Sequence, residues 1–142
     1  MSTNKIDKYK KAKQELIESC KETLIEAFKE FLEKHKDKID SASFVGYTPS
    51  FNDGDPCTFG VGSIDLKDKN KDDDYSWLCV YDTEYCDDKK LCADIEKLEK
   101  LISELEDVLP SAFNNEYGFR AIFTLKDCAK NKIVVEDYDC GY

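Results

Sequence analysis

Arginine is nearly missing from this chain: Arg120 is the only one among 142 residues, and the remaining cationic side chains are lysines. The planar guanidinium is the usual bidentate reader of phosphates and base edges, so its scarcity argues against direct nucleic-acid binding. The charge balance points the same way, with 31 acidic residues against 21 basic ones and a formal charge of −10. Such a field repels nucleic acid and anionic membrane unless basic groups gather on one face, and lysines interspersed along the text suggest no such gathering. Long apolar runs are absent too. The opening MSTNKIDKYKKAKQ lacks the apolar core of a secretory signal, and no window approaches the ~18 residues of a membrane span. The expectation is a cytoplasmic protein without a membrane partner.

Histidine is equally scarce, with His35 alone. There is no G-x-S-x-G elbow, H-E-x-x-H zinc helix, phosphate-binding glycine loop or dinucleotide fingerprint. A Cys-His nucleophile would have to use His35, which falls in the apolar sector of a helix, where a core or interface histidine is the commoner explanation. No catalytic residue, metal or cofactor is therefore expected, and the balance leans away from an enzyme.

Cysteine, by contrast, is frequent, at positions 20, 57, 79, 86, 92, 128 and 140. In a reducing compartment these read as free thiols, mostly small buried apolar groups. Cys79, Cys86 and Cys92 have the spacing C-x6-C-x5-C, which is neither a zinc ribbon nor a redox C-x-x-C, and a zinc ion would need His35 or Cys140 as a fourth ligand. Burial on a strand and a helix accounts for Cys79 and Cys92. Cys86, in the polar run TEYCDDKK, is the expected exposed thiol.

Residues 4–39 contain no Pro or Gly and predict one long helix. Leu16, Cys20, Leu24, Ala27, Phe28, Phe31 and His35 share a sector at 100° per residue, and Ile6 and Tyr9 join it. The part from Leu16 onward reads as a core helix. At ~1.5 Å per residue the whole would be about 50 Å long, so residues 1–13 should project, fray or pack on a partner subunit. Between residues 43 and 82 the period becomes strand-like. Val45 and Tyr47 alternate with Phe44 and Gly46; Phe59 and Val61 share a face, and the frame shifts across Gly62-Ser63 to Ile64 and Leu66, as at a β-bulge. Trp77, Cys79 and Tyr81 suggest a further strand beyond an exposed charged loop over residues 67–74. A second helix carries Leu91, Ile95, Leu98, Ile102, Leu105 and Leu109, capped by Asp87 or Asp88 and ended or kinked by Pro110. FRAIFTLK and KIVVEDY, joined by the turn DCAKN, predict a β-hairpin with Phe119, Ala121, Phe123 and Leu125 on one face. The expected fold is one α+β domain over residues 1–142, its two helices packed on a mainly antiparallel sheet of four to five strands.

The most distinctive segment is YTPSFNDGDPCTFGVGS, residues 47–63. Asn52, Asp53 and Asp55 offer hard oxygen ligands, but the bidentate Glu that closes a calcium loop is missing. Asp53-Gly54 is a favoured two-residue hairpin pair, so a structural turn fits better, with a ligand or partner loop as the alternative. Asp137 and Asp139 would approach Asp53 and Asp55 if the last strand pairs near that hairpin.

Tyr47, Thr48, Pro49, Phe51, Asn52, Asp53, Gly54, Asp55, Cys57, Phe59 and Val61 resemble the signature of a group of small bacterial and bacteriophage proteins, whose usual text is close to W-T-x-Y-T-P-x-F-N-D-G-D-x-C-x-F-x-V and which end in an acidic strand similar to VVEDYD of residues 134–139. Phe44 stands where Trp is common, and Cys140-Gly141-Tyr142 replaces a His-Asp ending. The resemblance implies a compact α+β accessory or interaction factor of phage or bacterial origin. Taken together, these features predict a non-enzymatic binding protein that engages a protein partner, of host-takeover or anti-defence type in a phage. Its candidate binding residues are Tyr47, Phe51, Asn52, Asp53, Asp55, Asp137 and Asp139. A small-ligand or nucleotide-binding protein or metal-assisted hydrolase built on Asp53 and Asp55 is one alternative, and a homodimeric structural protein joined through the first helix is another.

Overall fold

The computed structural model describes residues 2–48, 59–62, 64–68, 78–79, 88–114 and 118–138. Helix α1 occupies Ser2–Lys34. It ends several residues before the sequence expectation because residues 35–38 turn the chain: the His35 carbonyl accepts from the Lys38 and Ile39 amides at 3.0 and 2.9 Å. Ile39 then begins a strand. Cys20, Leu24, Phe28 and Phe31 are buried, as their shared sector predicts, and Leu32 beside them is buried too, but Leu16 is 54% exposed and Tyr9 67%. The expectation that the core helix starts at Leu16 is thus corrected, since the body beneath α1 begins only near Ile17 and Cys20.

Strands β1 (Ile39–Tyr47), β2 (Gly60–Val61), β3 (Asp65–Asp68) and β4 (Leu78–Cys79) follow. Next come α2 (Lys89–Glu104), α3 (Leu109–Ala112), β5 (Gly118–Thr124), α4 (Leu125–Ala129) and β6 (Val134–Asp137). Five strands stand side by side in the order β4-β3-β1-β5-β6, and β2 pairs with β1 beyond the end of β3. Every pairing is antiparallel. The molecule is therefore the α+β sandwich that the alternation of periods predicts. Ser43 pairs with Asp65 and Gly46 with Val61, so the register shifts by one residue between Val61 and Asp65. The shift falls where the change of frame at Gly62 predicts it, and the Gly62 amide donates to the Val45 carbonyl at 2.9 Å.

One face of the sheet holds the core. Phe28 of α1 stacks on Phe123 with ring centroids 3.9 Å apart, Phe44 lies 6.1 Å from both, and Phe119 meets Phe44 edge-on. Helix α2 adds Leu91, Ile95, Leu98 and Ile102, all buried. Its cap is Asp88, whose side chain accepts from the Leu91 amide at 3.0 Å.

Three further expectations are corrected. Pro110 neither ends nor kinks α2, which stops at Glu104; it sits in the first turn of the separate helix α3, where its missing N–H costs no helical bond. Lys67 and Asp68 belong to β3 rather than to the charged loop, because β1 extends back to Ile39 and offers them backbone partners. The turn predicted after β5 is the helix α4: the Thr124 hydroxyl accepts from the Asp127 amide at 3.1 Å, and Leu125 leaves the strand face. Asn131, at φ 57°, then reverses the chain into β6 in a conformation that Asn tolerates well.

Candidate functional site: the tyrosine end of the sheet

Tyr47 closes β1, and its position on the strand faces away from α1, because Phe44 and Gly46 take the core side. Across the ladder it pairs with Gly60 on one side and Gly118 on the other. Gly118 in turn receives the Tyr138 amide on its carbonyl at 3.2 Å. The approach at that point is close: a Cβ on Gly118 would collide with the Tyr138 carbonyl. The Tyr47 and Tyr138 rings consequently meet across the glycine, centroids 5.8 Å apart and tilted by 47°. The Arg120 guanidinium lies 5.6 Å from the Tyr138 ring centre. It also donates to Ser43 Oγ at 2.8 Å and to Asp65 Oδ2 at 3.0 Å. The only arginine is thus engaged in joining three strands, a use that its several fixed donors suit.

Asp137 is exposed on the edge strand β6, opposite Phe119. Partners in an antiparallel pair share a face, so Asp137 lies on the α1 side of the sheet and Tyr47 on the other. Strand β5 separates β6 from β1. Of the candidate residues, then, Tyr47 and Asp137 stand at the same end of the sheet but not side by side, and Tyr138 rather than Asp137 meets Tyr47. Phe51, Asn52, Asp53, Asp55 and Asp139 lie outside the described residues. Tyr138 and Gly118 were missed in the sequence. The one signal available was a glycine opening a strand followed by an aromatic at the end of the next.

A second polar cluster joins α1 to α2. His35 Nε2 lies 2.7 Å from Asp94 Oδ2, and Lys34 Nζ lies 3.0 Å from the same oxygen. Burial opposes the charged form of Asp94, but the hydrogen bonds from His35 and Lys34 outweigh it and hold the carboxyl below its ordinary pKa. Asp88 is held down as well, first by its bond from the Leu91 amide and then by Lys38, whose Nζ is 2.9 Å away. The Phe31 ring packs on the His35 ring at 4.9 Å. This is the interior histidine that its helical sector predicted, used as a clamp.

Cys20, Cys92 and Cys128 carry thiols rather than disulfides. Burial pushes the Cys20 and Cys128 thiols up, which lowers the thiolate fraction that a nucleophile needs. Cys92 is half-buried against the core, and Cys86 lies outside the described residues. Among the described residues no three His, Cys, Asp or Glu side chains gather into a metal-binding group, and no helix is long and apolar enough to cross a membrane. Compared with models of known families, with curated proteins and with solved structures, the chain matches none.

Proposed function

We propose that the protein is an acidic, non-enzymatic binding factor of the cytoplasm that engages a protein partner at the tyrosine end of its sheet. The observation that carries this reading is the Tyr47–Tyr138 pair, two aromatic rings presented together at the root of the segment over residues 48–59. Tyrosine is favoured at protein interfaces because it supplies a large, rigid apolar area and a hydroxyl at low entropic cost. Arg120, bonded to Ser43 and Asp65, lies against the Tyr138 ring and helps to fix that ring before any partner arrives. The resemblance of the 47–61 segment to bacterial and phage proteins makes a host-takeover or anti-defence role the specific form of this reading.

A pull-down from bacterial host lysate with wild type and with Tyr47→Ala/Tyr138→Ala tests it. The expected result is a stoichiometric partner that survives moderate salt and is lost from the variant. Recovery of no partner, or equal recovery by both proteins, would remove the proposal.

The second reading is a small-ligand, nucleotide or metal-assisted site using Asp53 and Asp55. It draws on the carboxylates of Asp53 and Asp55 in the sequence between Tyr47 and Gly60, two residues that pair at the sheet end where Asp137 also lies. A thermal-shift screen with divalent ions and nucleotides on wild type and on Asp53→Ala/Asp55→Ala decides it: unchanged melting with every ligand removes this reading.

A further inference from the structure

Helix α1 extends past the body of the domain, and the side it shows there is the side it buries elsewhere. Ile6, Tyr9, Lys13 and Leu16 follow one another at spacings of three and four and continue the line to the buried Cys20 and Leu24. Ile6 is 52% exposed, with Tyr9 and Leu16 more so. At the foot of this stripe opens a groove of about 350 Å³ between α1 and the α2–α3 corner, lined by Tyr9, Leu16, Ile17, Asp107, Val108 and Ser111.

The charge of the helix divides at the same place. Residues 5–13 hold Lys5, Lys8, Lys10, Lys11 and Lys13 against Asp7 alone. Residues 14–33 hold six glutamates, at 15, 18, 22, 26, 30 and 33, against Lys21 and Lys29. All six glutamates are exposed. The projecting half of α1 thus has a surplus of four positive charges and the other half an equal negative surplus. A helix of this kind complements a copy of itself only when the copy runs the opposite way, since a parallel copy would set lysine against lysine.

We propose that the projecting part of α1 is the interface with a second copy of this chain, the two arms crossing antiparallel about a two-fold axis. Ile6 and Tyr9 of each copy cover the Leu16–Ile17 end of the other and close its groove. The Lys13 stem lies along the apolar seam while its ammonium reaches toward Asp107, which lines the same groove. A two-fold arrangement buries both stripes through the same contacts, as an isologous interface requires. The charge pairing sets the direction and makes the association weaken with salt.

Sedimentation equilibrium of the full chain, from low to high micromolar concentration, tests the proposal. Wild type is expected to form a reversible dimer, and Ile6→Glu/Tyr9→Glu to weaken it by roughly tenfold or more. Both positions are exposed, so the variant should keep the wild-type circular dichroism and its own melting temperature should not vary with concentration. Lys8→Glu/Lys11→Glu should weaken the dimer as well, and molar NaCl should do the same to wild type. Wild type that stays monomeric throughout, or a glutamate variant that dimerises as wild type does, overturns the proposal. So does a monomer that cosediments with anionic vesicles or duplex DNA, which would assign the arm to that surface. A dimer indifferent to salt and to the lysine reversals overturns the antiparallel arrangement.

Discussion

His35 Nε2 and Asp94 Oδ2 stand 2.7 Å apart and tie the end of α1 to the first turns of α2, two elements separated by 59 positions in the chain. Both side chains are largely shielded from water, so each is the other's main compensation for leaving it. The clamp fixes where α2 lies over the sheet and, with it, the cap that Lys38 and Asp88 share.

Replacing Asp94 with Asn should destabilise the fold at neutral pH by about 1.5–3 kcal/mol, the usual worth of a hydrogen bond to a charged group. The Asp94 carboxyl is held below its unfolded value, so below about pH 3.9 the unfolded chain binds more protons and stability rises with pH. The contribution is complete above that value and is lost as pH falls through the lower folded value. Urea unfolding at neutral pH and under acid should show the gap between wild type and Asp94→Asn narrowing on acidification. A gap that stays constant would mean that the carboxylate is not the group responsible.

At Gly118 a methyl group has no room, because the Tyr138 carbonyl occupies the position. Gly118→Ala should cost about 1–3 kcal/mol as an overpacking change and should push the end of β6 away from β5. Amide exchange at Tyr138, whose N–H donates to the Gly118 carbonyl, reports this directly. Faster exchange at Tyr138 with little change at Ile122 is the expected pattern, and unchanged protection at Tyr138 would contradict the close approach.

Thr124 ends β5 and caps α4 in one residue. Thr124→Ala should lower stability by about 1 kcal/mol and Thr124→Ser by much less, since serine keeps the accepting oxygen. Thermal unfolding of the two variants measures the difference. Equal losses would assign the effect to the threonine methyl instead of the cap.

The Thr124 region also shows why a sequence can be misread. F-T-L-K alternates as a strand does, which puts Leu125 on the strand face. Yet Thr124 followed three residues later by Asp127 is a helix-capping spacing, and the local bond from the Asp127 amide decides between the two patterns. Pro110 is a similar case: the rule that proline stops a helix holds, but α2 stops at Glu104 and proline instead opens the next turn. For the candidate site, Tyr47 was legible because a strand ended at a distinctive segment. Tyr138 was not, because its significance lies in a ring 91 positions away, across a strand that neither segment specifies.

By itself the sequence determined the elements whose cause is local. The apolar sector of α1, the stripe of α2, the alternation through Phe119, Ala121 and Phe123, and the frame shift at Gly62 all follow from periods that a few residues establish. Only the tertiary structure decided that β5 lies between β1 and β6, which separates Asp137 from Tyr47 and brings Tyr138 to it. Likewise, the exposure of Ile6, Tyr9 and Leu16 could not be read from their sector, which they share with Cys20 and Leu24. Periodicity tells which side of a helix is apolar; where the body beneath it ends depends on the size of the sheet and the placing of α2 and α3, and these are settled by pairings between distant residues.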